Sequence, residues 1–170
     1  MVFGLSLHTY TSIHVILSLI GIASGMVVLA GLLAAKGRNT WTAIFLISTA
    51  LTSVTGFGFP FTKVTPGIVV GVLSGIALAL AATARYLRHL AGGWRTAYVI
   101  SALVSLYFNV FVLVVQSFEK VPLLRAAAPT GKEAPFTITQ LVVLAAFIVL
   151  TIQAVKRFRA AAPAAVRMAA

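Results

Sequence analysis

Five apolar runs of about 18 to 25 residues each make up most of this chain, and neither of its acidic residues falls inside one. At about 1.5 Å of rise per residue, each run is long enough as a helix to cross a hydrocarbon core of about 30 Å. Helix is required because lipid offers no partner to a free backbone N–H or C=O. A barrel is excluded, since its strands would read as alternating ten-residue segments and not as continuous apolar runs. The pattern predicts an all-α membrane bundle of five transmembrane helices over residues 13–35, 41–60, 67–84, 94–118 and 137–155.

Composition agrees. The chain is 61% hydrophobic and only 9% charged, with a mean hydropathy of +1.08. Soluble domains carry about a quarter charged residues. A net charge of +11 would suggest nucleic acid in a soluble protein. Here the cations flank the apolar runs, where they mark orientation, so no nucleic-acid partner is expected and the lipid bilayer is. One side collects nine of them: Lys36, Arg38, Arg85, Arg88, Arg95, Lys156, Arg157, Arg159 and Arg167. The other holds four, Lys63, Lys120, Arg125 and Lys132, and both acids, Glu119 and Glu133. The nine-cation side is predicted to be cytoplasmic, which leaves the N-terminus outside. Trp41, Tyr86 and Trp94 fall at the inner boundary, and Tyr10, Phe57, Phe59 and Phe61 at the outer one.

The break at Lys36 to Thr40, the turn from Phe61 to Thr65 and the stop at Ala91-Gly92-Gly93 separate the first four spans. Residues 119–136 form the longest connection, in which Pro122 opens a short surface helix through Ala128. Residues 1–159 read as a single transmembrane domain, and 160–170 as a flexible tail. Nothing before Lys36 carries a Lys or Arg. The first run is too long for the apolar region of a signal peptide, so the first span is expected to persist as a helix.

The third span carries small residues four apart, Gly67, Gly71, Gly75 and Ala79, continued by Thr83. This glycine zipper forms one smooth face, and the first span has a shorter version in Gly21 and Gly25. Small faces let helix backbones approach closely where no hydrophobic force drives helices together. Two readings stand: packing within the bundle, with these two helices on each other, or contact with a second copy or a membrane-protein partner. The third helix is expected to hold the tightest packing.

The fourth span has a polar stripe of Tyr98, Ser105, Asn109 and Gln116. With His14, Ser53 and Gln140 from the outer halves of other spans, Asn109 and Gln116 are candidate ligand-binding residues in an outward-opening polar cavity. The bland alternative is a set of interhelical hydrogen bonds worth about 0.6 kcal/mol each. Bis-histidine haem ligation would need a second histidine facing His14. His8 lies outside the first span and His89 at the opposite face, so a haem-binding electron carrier is the weakest reading.

No cysteine is present, which removes disulfides and thiolate sites. No intramembrane carboxylate is available for acid–base work, proton relay or metal ligation. No catalytic residue, metal or cofactor is therefore expected. The leading expectation is a non-enzymatic accessory or assembly subunit. A binder of a small amphipathic ligand, a lipid or a quinone, is the alternative.

Several stretches resemble a group of small multi-pass inner-membrane proteins of proteobacteria that have no assigned activity. They are residues 52–57 followed by Phe59-Pro60, then Leu90-Ala91-Gly92 with Trp94-Arg95, then 107–116 followed by Lys120-Val121-Pro122. The resemblance spans most of Ile13 to Arg159. It implies the same five-helix architecture and a bacterial inner membrane, and it transfers no site residues.

Overall fold

The computed structural model describes residues 2–60 and 65–160. The helices are α1 (Leu7–Leu33), α2 (Asn39–Phe57), α3 (Pro66–Ala82, prolonged by one π-helical turn, Thr83–Leu87), α4 (Trp94–Lys120), α5 (Pro122–Ala127) and α6 (Ala134–Ala160). All but α5 are long and apolar enough to cross a membrane. Most of the turn expected at Phe61 to Thr65, with Phe61 and Lys63, lies outside the described residues. So does the tail beyond Ala160, with Arg167.

Helix ends differ from the sequence expectation for local reasons. The first helix begins at Leu7, not Ile13. Ser6 caps it by accepting the Thr9 N–H at 3.1 Å, and the Thr11 and Ser12 hydroxyls donate back to the Leu7 and His8 carbonyls. α2 stops at Phe57, three residues early. The Gly58 N–H folds back on the Thr55 carbonyl, and Pro60 disfavours helix in the residue before it. α3 starts on a Thr65 cap with Pro66 in its first turn. Its end matches the expected one near residue 84, with the π-turn carrying it on to Leu87. His89 (φ 49°) and Leu90 (φ 58°) take the left-handed conformation, and the Leu90 N–H returns to the Ala84 carbonyl at 3.0 Å. α6 runs past both expected ends, from Ala134 to Ala160.

Two ends of the bundle are distinguished by charge. At the basic end, Arg157 on α6 donates to the Leu33 carbonyl of α1, and Arg85 on the π-turn donates to the Asn39 side chain of α2 at 2.6 Å. At the other end lie Glu119, Glu133 and α5. There Phe118 meets Phe136 edge-on at 5.4 Å, which ties α4 to the start of α6. Glu133 latches its own loop by accepting from the Thr130 hydroxyl and from the Thr130 and Lys132 N–H groups. Slight loss of hydration pushes its carboxyl up. The hydrogen bonds outweigh that and hold it below the ordinary glutamate value.

The core is built on α4, whose Tyr98, Val99, Leu103 and Leu106 are among the most fully buried side chains in the bundle. α4 packs against α1, α2, α3 and α6. α6 is the peripheral helix: 11% of its spanning stretch is buried, against 39% for α1 and α4. Among the helical glycines the closest approach falls on α1, not on α3 as the sequence suggests. A Cβ placed on Gly25 would lie 2.5 Å from Leu106 and 3.0 Å from Phe45. One on Gly21 would lie 3.0 Å from the Thr49 hydroxyl. α1 therefore uses its glycines to seat α2 and α4, and the expected pairing of the α1 and α3 glycine faces does not form.

Overpacking of this kind costs about 1–3 kcal/mol. Gly25→Val should lower the unfolding free energy of the detergent-solubilised protein by at least that much. A stability equal to that of the parent would show that α1 does not pack as described.

Candidate functional site

The polar residues inside the membrane meet mainly on α2. Asn109 donates through Nδ2 to the Thr49 hydroxyl at 3.1 Å, and the Tyr98 hydroxyl lies 3.3 Å from that of Thr42. His14 Nδ1 is 2.8 Å from the Thr55 hydroxyl. The same hydroxyl lies 2.7 Å from the Leu51 carbonyl of its own helix. Tyr10, one turn before His14, donates to the Thr55 carbonyl at 2.7 Å. Asn39 and these threonines are spread along α2 and face different neighbours: Asn39 meets Arg85 after α3, Thr42 and Thr49 meet α4, and Thr55 meets Tyr10 and His14 of α1.

Around His14 the packing is close. Phe59 presents its ring edge-on to both Tyr10 and His14, with centroids 5.1 and 5.2 Å away. A Cβ on Gly58 would collide with the Tyr10 hydroxyl, and one on Gly56 would lie 3.6 Å from His14 Cε1. The residues from Thr55 to Phe59 are thus shaped to receive Tyr10 and His14. This cluster clamps α1 to the end of α2.

The remaining candidates are not drawn into one cavity. Gln140 donates to the Phe111 carbonyl of α4 at 3.2 Å, and its Oε1 is buried with no partner among the described residues. Gln116 reaches only Glu119, three residues on along its own helix. Ser105 and Ser53 each bond a carbonyl of their own helix, Ser101 and Thr49 respectively. The interhelical hydrogen bonds thus take up His14, Asn109 and Gln140. No group of three or more His, Asp or Glu side chains comes together among the described residues.

Two depressions stand out, and both are apolar grooves on the membrane-facing surface. One, of about 330 Å³, lies between α1 and α2 and is lined by residues such as Leu17, Ile20, Ile44 and Ile47. The other, of about 340 Å³, lies between α2 and α3. Its walls include Ser53 and Phe57 on one side and Gly75, Ala79 and Ala82 on the other. Ser53 is the one candidate ligand residue on either groove. Within the glycine face of α3, a Cβ on Gly71 would contact the Phe57 ring at 3.2 Å. A Cβ on Gly75 would meet nothing within 4 Å among the described residues, and one on Gly67 would meet only Thr65 beside it.

Sequence reading missed Thr42, Thr49 and Thr55 as the partners of the α4 stripe and of His14. The signal was present: α2 is the least apolar span, with a mean hydropathy of 1.3 against 2.2 to 2.4 for the others. Hydroxyl residues at 40, 42, 48, 49, 52, 53 and 55 account for that. Compared with known protein families, curated proteins and solved structures, the chain matches none.

A double-mutant cycle between Asn109→Ala and Thr49→Val should return a coupling of about 0.6 kcal/mol, the average for interhelical hydrogen bonds in membranes. Gln116→Ala, which breaks only a local contact, should leave stability within about 0.5 kcal/mol of the parent. Zero coupling in the cycle would remove the Asn109–Thr49 bond from the account.

Proposed function

We propose that this protein is a non-enzymatic membrane subunit that acts through lateral helix contacts, assembling with a partner membrane protein or a second copy across the α2–α3 groove. The observation that carries this reading is the open position at Gly75 on the small-residue face of α3. Gly75 borders a groove of about 340 Å³ and has free space where a side chain would stand. In a membrane, small residues stabilise helix contacts by letting backbones approach, and here that capacity is left unused within the chain. Most of the intramembrane polar groups form bonds within the bundle, so a partner would be recognised by shape and not by charge.

The setting proposed is a bacterial inner membrane, with the basic end in the cytoplasm and the N-terminus outside. The charge asymmetry supports it. A second reading places a lipid acyl chain or a quinone tail in the same groove. Ser53 and Phe57 on its wall favour an elongated apolar ligand with one hydrogen-bonding group.

The absence of cysteine makes both site and topology testable by single substitutions. Ala79→Cys in native membranes should give a disulfide or maleimide adduct with a neighbouring chain. Adding Gly75→Val should abolish that adduct while leaving the folded protein intact, since Gly75 has room for the extra atoms. If Ala79→Cys forms no adduct, lateral assembly at this groove is ruled out. Lipid or quinone that co-purifies with the parent and is lost from Gly75→Val would then establish the second reading. Cysteines introduced at Ala127 and Ala35 should label from outside and inside the cell respectively, and the reverse pattern would invert the orientation.

A further inference from the structure

The basic end of the bundle carries an unbalanced charge that the protein does not neutralise. Seven described side chains gather there: Lys36, Arg38, Arg85, Arg88, Arg95, Lys156 and Arg157. The chain's two acids, Glu119 and Glu133, both lie at the opposite end. The guanidinium groups rest on aromatic rings instead. Arg85 lies 5.3 Å from the Tyr98 ring, Arg95 lies 5.7 Å from Phe158, and the Tyr98 and Phe158 rings are 6.4 Å apart. Arg88 lies 5.1 Å from Trp94 at the start of α4.

A guanidinium over a ring face is attracted by the ring without using its N–H donors on an acceptor oxygen. Arg85 uses one donor on Asn39 and Arg157 uses one on the Leu33 carbonyl. Arg88 and Arg95 meet no hydrogen-bond acceptor among the described residues. The level in the membrane is set by Trp41, Tyr86 and Trp94, since amphipathic rings settle where headgroups begin. Planar donors held by rings at headgroup depth, with no acidic partner nearby, match the oxygens of a phosphodiester.

We propose that this end binds the headgroup of an anionic phospholipid, with Arg88 and Arg95, on either side of the start of α4, as its principal donors. The site is separate from the α2–α3 groove. It does not depend on the assembly reading.

The test uses the full chain purified in mild detergent, with phosphatidylglycerol, phosphatidylcholine and inorganic phosphate as probes. Native mass spectrometry counts the lipids retained, and a thermal melt reads stabilisation. Phosphatidylglycerol should be retained and should raise the melting temperature; phosphatidylcholine should do neither. Each of Arg88→Gln and Arg95→Gln should weaken phosphatidylglycerol binding about fivefold. Lysine at either position should restore part of it. Lys120→Gln and Lys132→Gln, at the other end, should leave binding unchanged. Arg88 follows the last turn of α3 and is exposed, so its variant keeps the test valid even if Arg95→Gln misfolds. Equal retention of the two lipids would overturn the proposal, as would equal loss from the Lys120 and Lys132 variants. Stabilisation by inorganic phosphate as strong as that by phosphatidylglycerol would also overturn it, by assigning the site to a soluble anion.

Discussion

In lipid, a polar side chain has to find its partner on its own helix or on a neighbouring one, and in this bundle α2 supplies most of those partners. Its threonines sit opposite the tyrosine and asparagine of α4 and the histidine of α1. These bonds are weak individually. Their value is directional, because each can form in only one rotation and one depth of the helices concerned. The contacts at Thr42, Thr49 and Thr55 therefore fix how α1 and α4 stand against α2 along nearly the whole thickness of the membrane. Gly21 and Gly25 make this possible by allowing α1 close enough to α2 and α4 for short side chains to reach across.

The order of the bundle follows from that seam. α4 lies at the centre with its buried aromatic and aliphatic side chains, and α3 closes one flank. α6 lies on the other, held by Tyr107 against Phe147, by Gln140 on the Phe111 carbonyl and by its two termini. Ring contacts at both ends, Phe118 with Phe136 and Arg95 with Phe158, add to these. The hydrophobic exterior left over is what a membrane-embedded surface requires, so its extent alone identifies no partner.

Much of this was legible in the amino-acid sequence. Continuous apolarity predicts five spans because the bilayer sets a minimum length, and the structure has five helices that meet it. Their ends were less legible, since they depend on single local bonds such as the Ser6 cap and the left-handed pair His89 and Leu90. The small-residue faces show a deeper limit. Gly21 and Gly25 on α1, and Gly71 and Gly75 on α3, share the same spacing of four. Gly21, Gly25 and Gly71 have close neighbours, and Gly75 has none among the described residues. Spacing reports that a helix can be approached, and only the fold reports whether anything does so. Asn109, His14 and Gln140 were recognised as polar groups facing inward. The single cavity expected for them does not form, and their separate partners were not readable, because each lies 29 to 60 residues away in sequence.

The polar side chains of α2 bear on how the bundle closes. With a mean hydropathy of 1.3 beside 2.4 for α1, α2 is the span least suited to lie in lipid alone. Thr55 finds its partners on α1, across the short stretch from Ala34 to Arg38, but Thr42 and Thr49 find theirs on α4, 56 and 60 residues further along the chain. A hairpin of α1 and α2 alone would leave both of those threonines without their interhelical partners, so the polar seam is complete only with α4 in place.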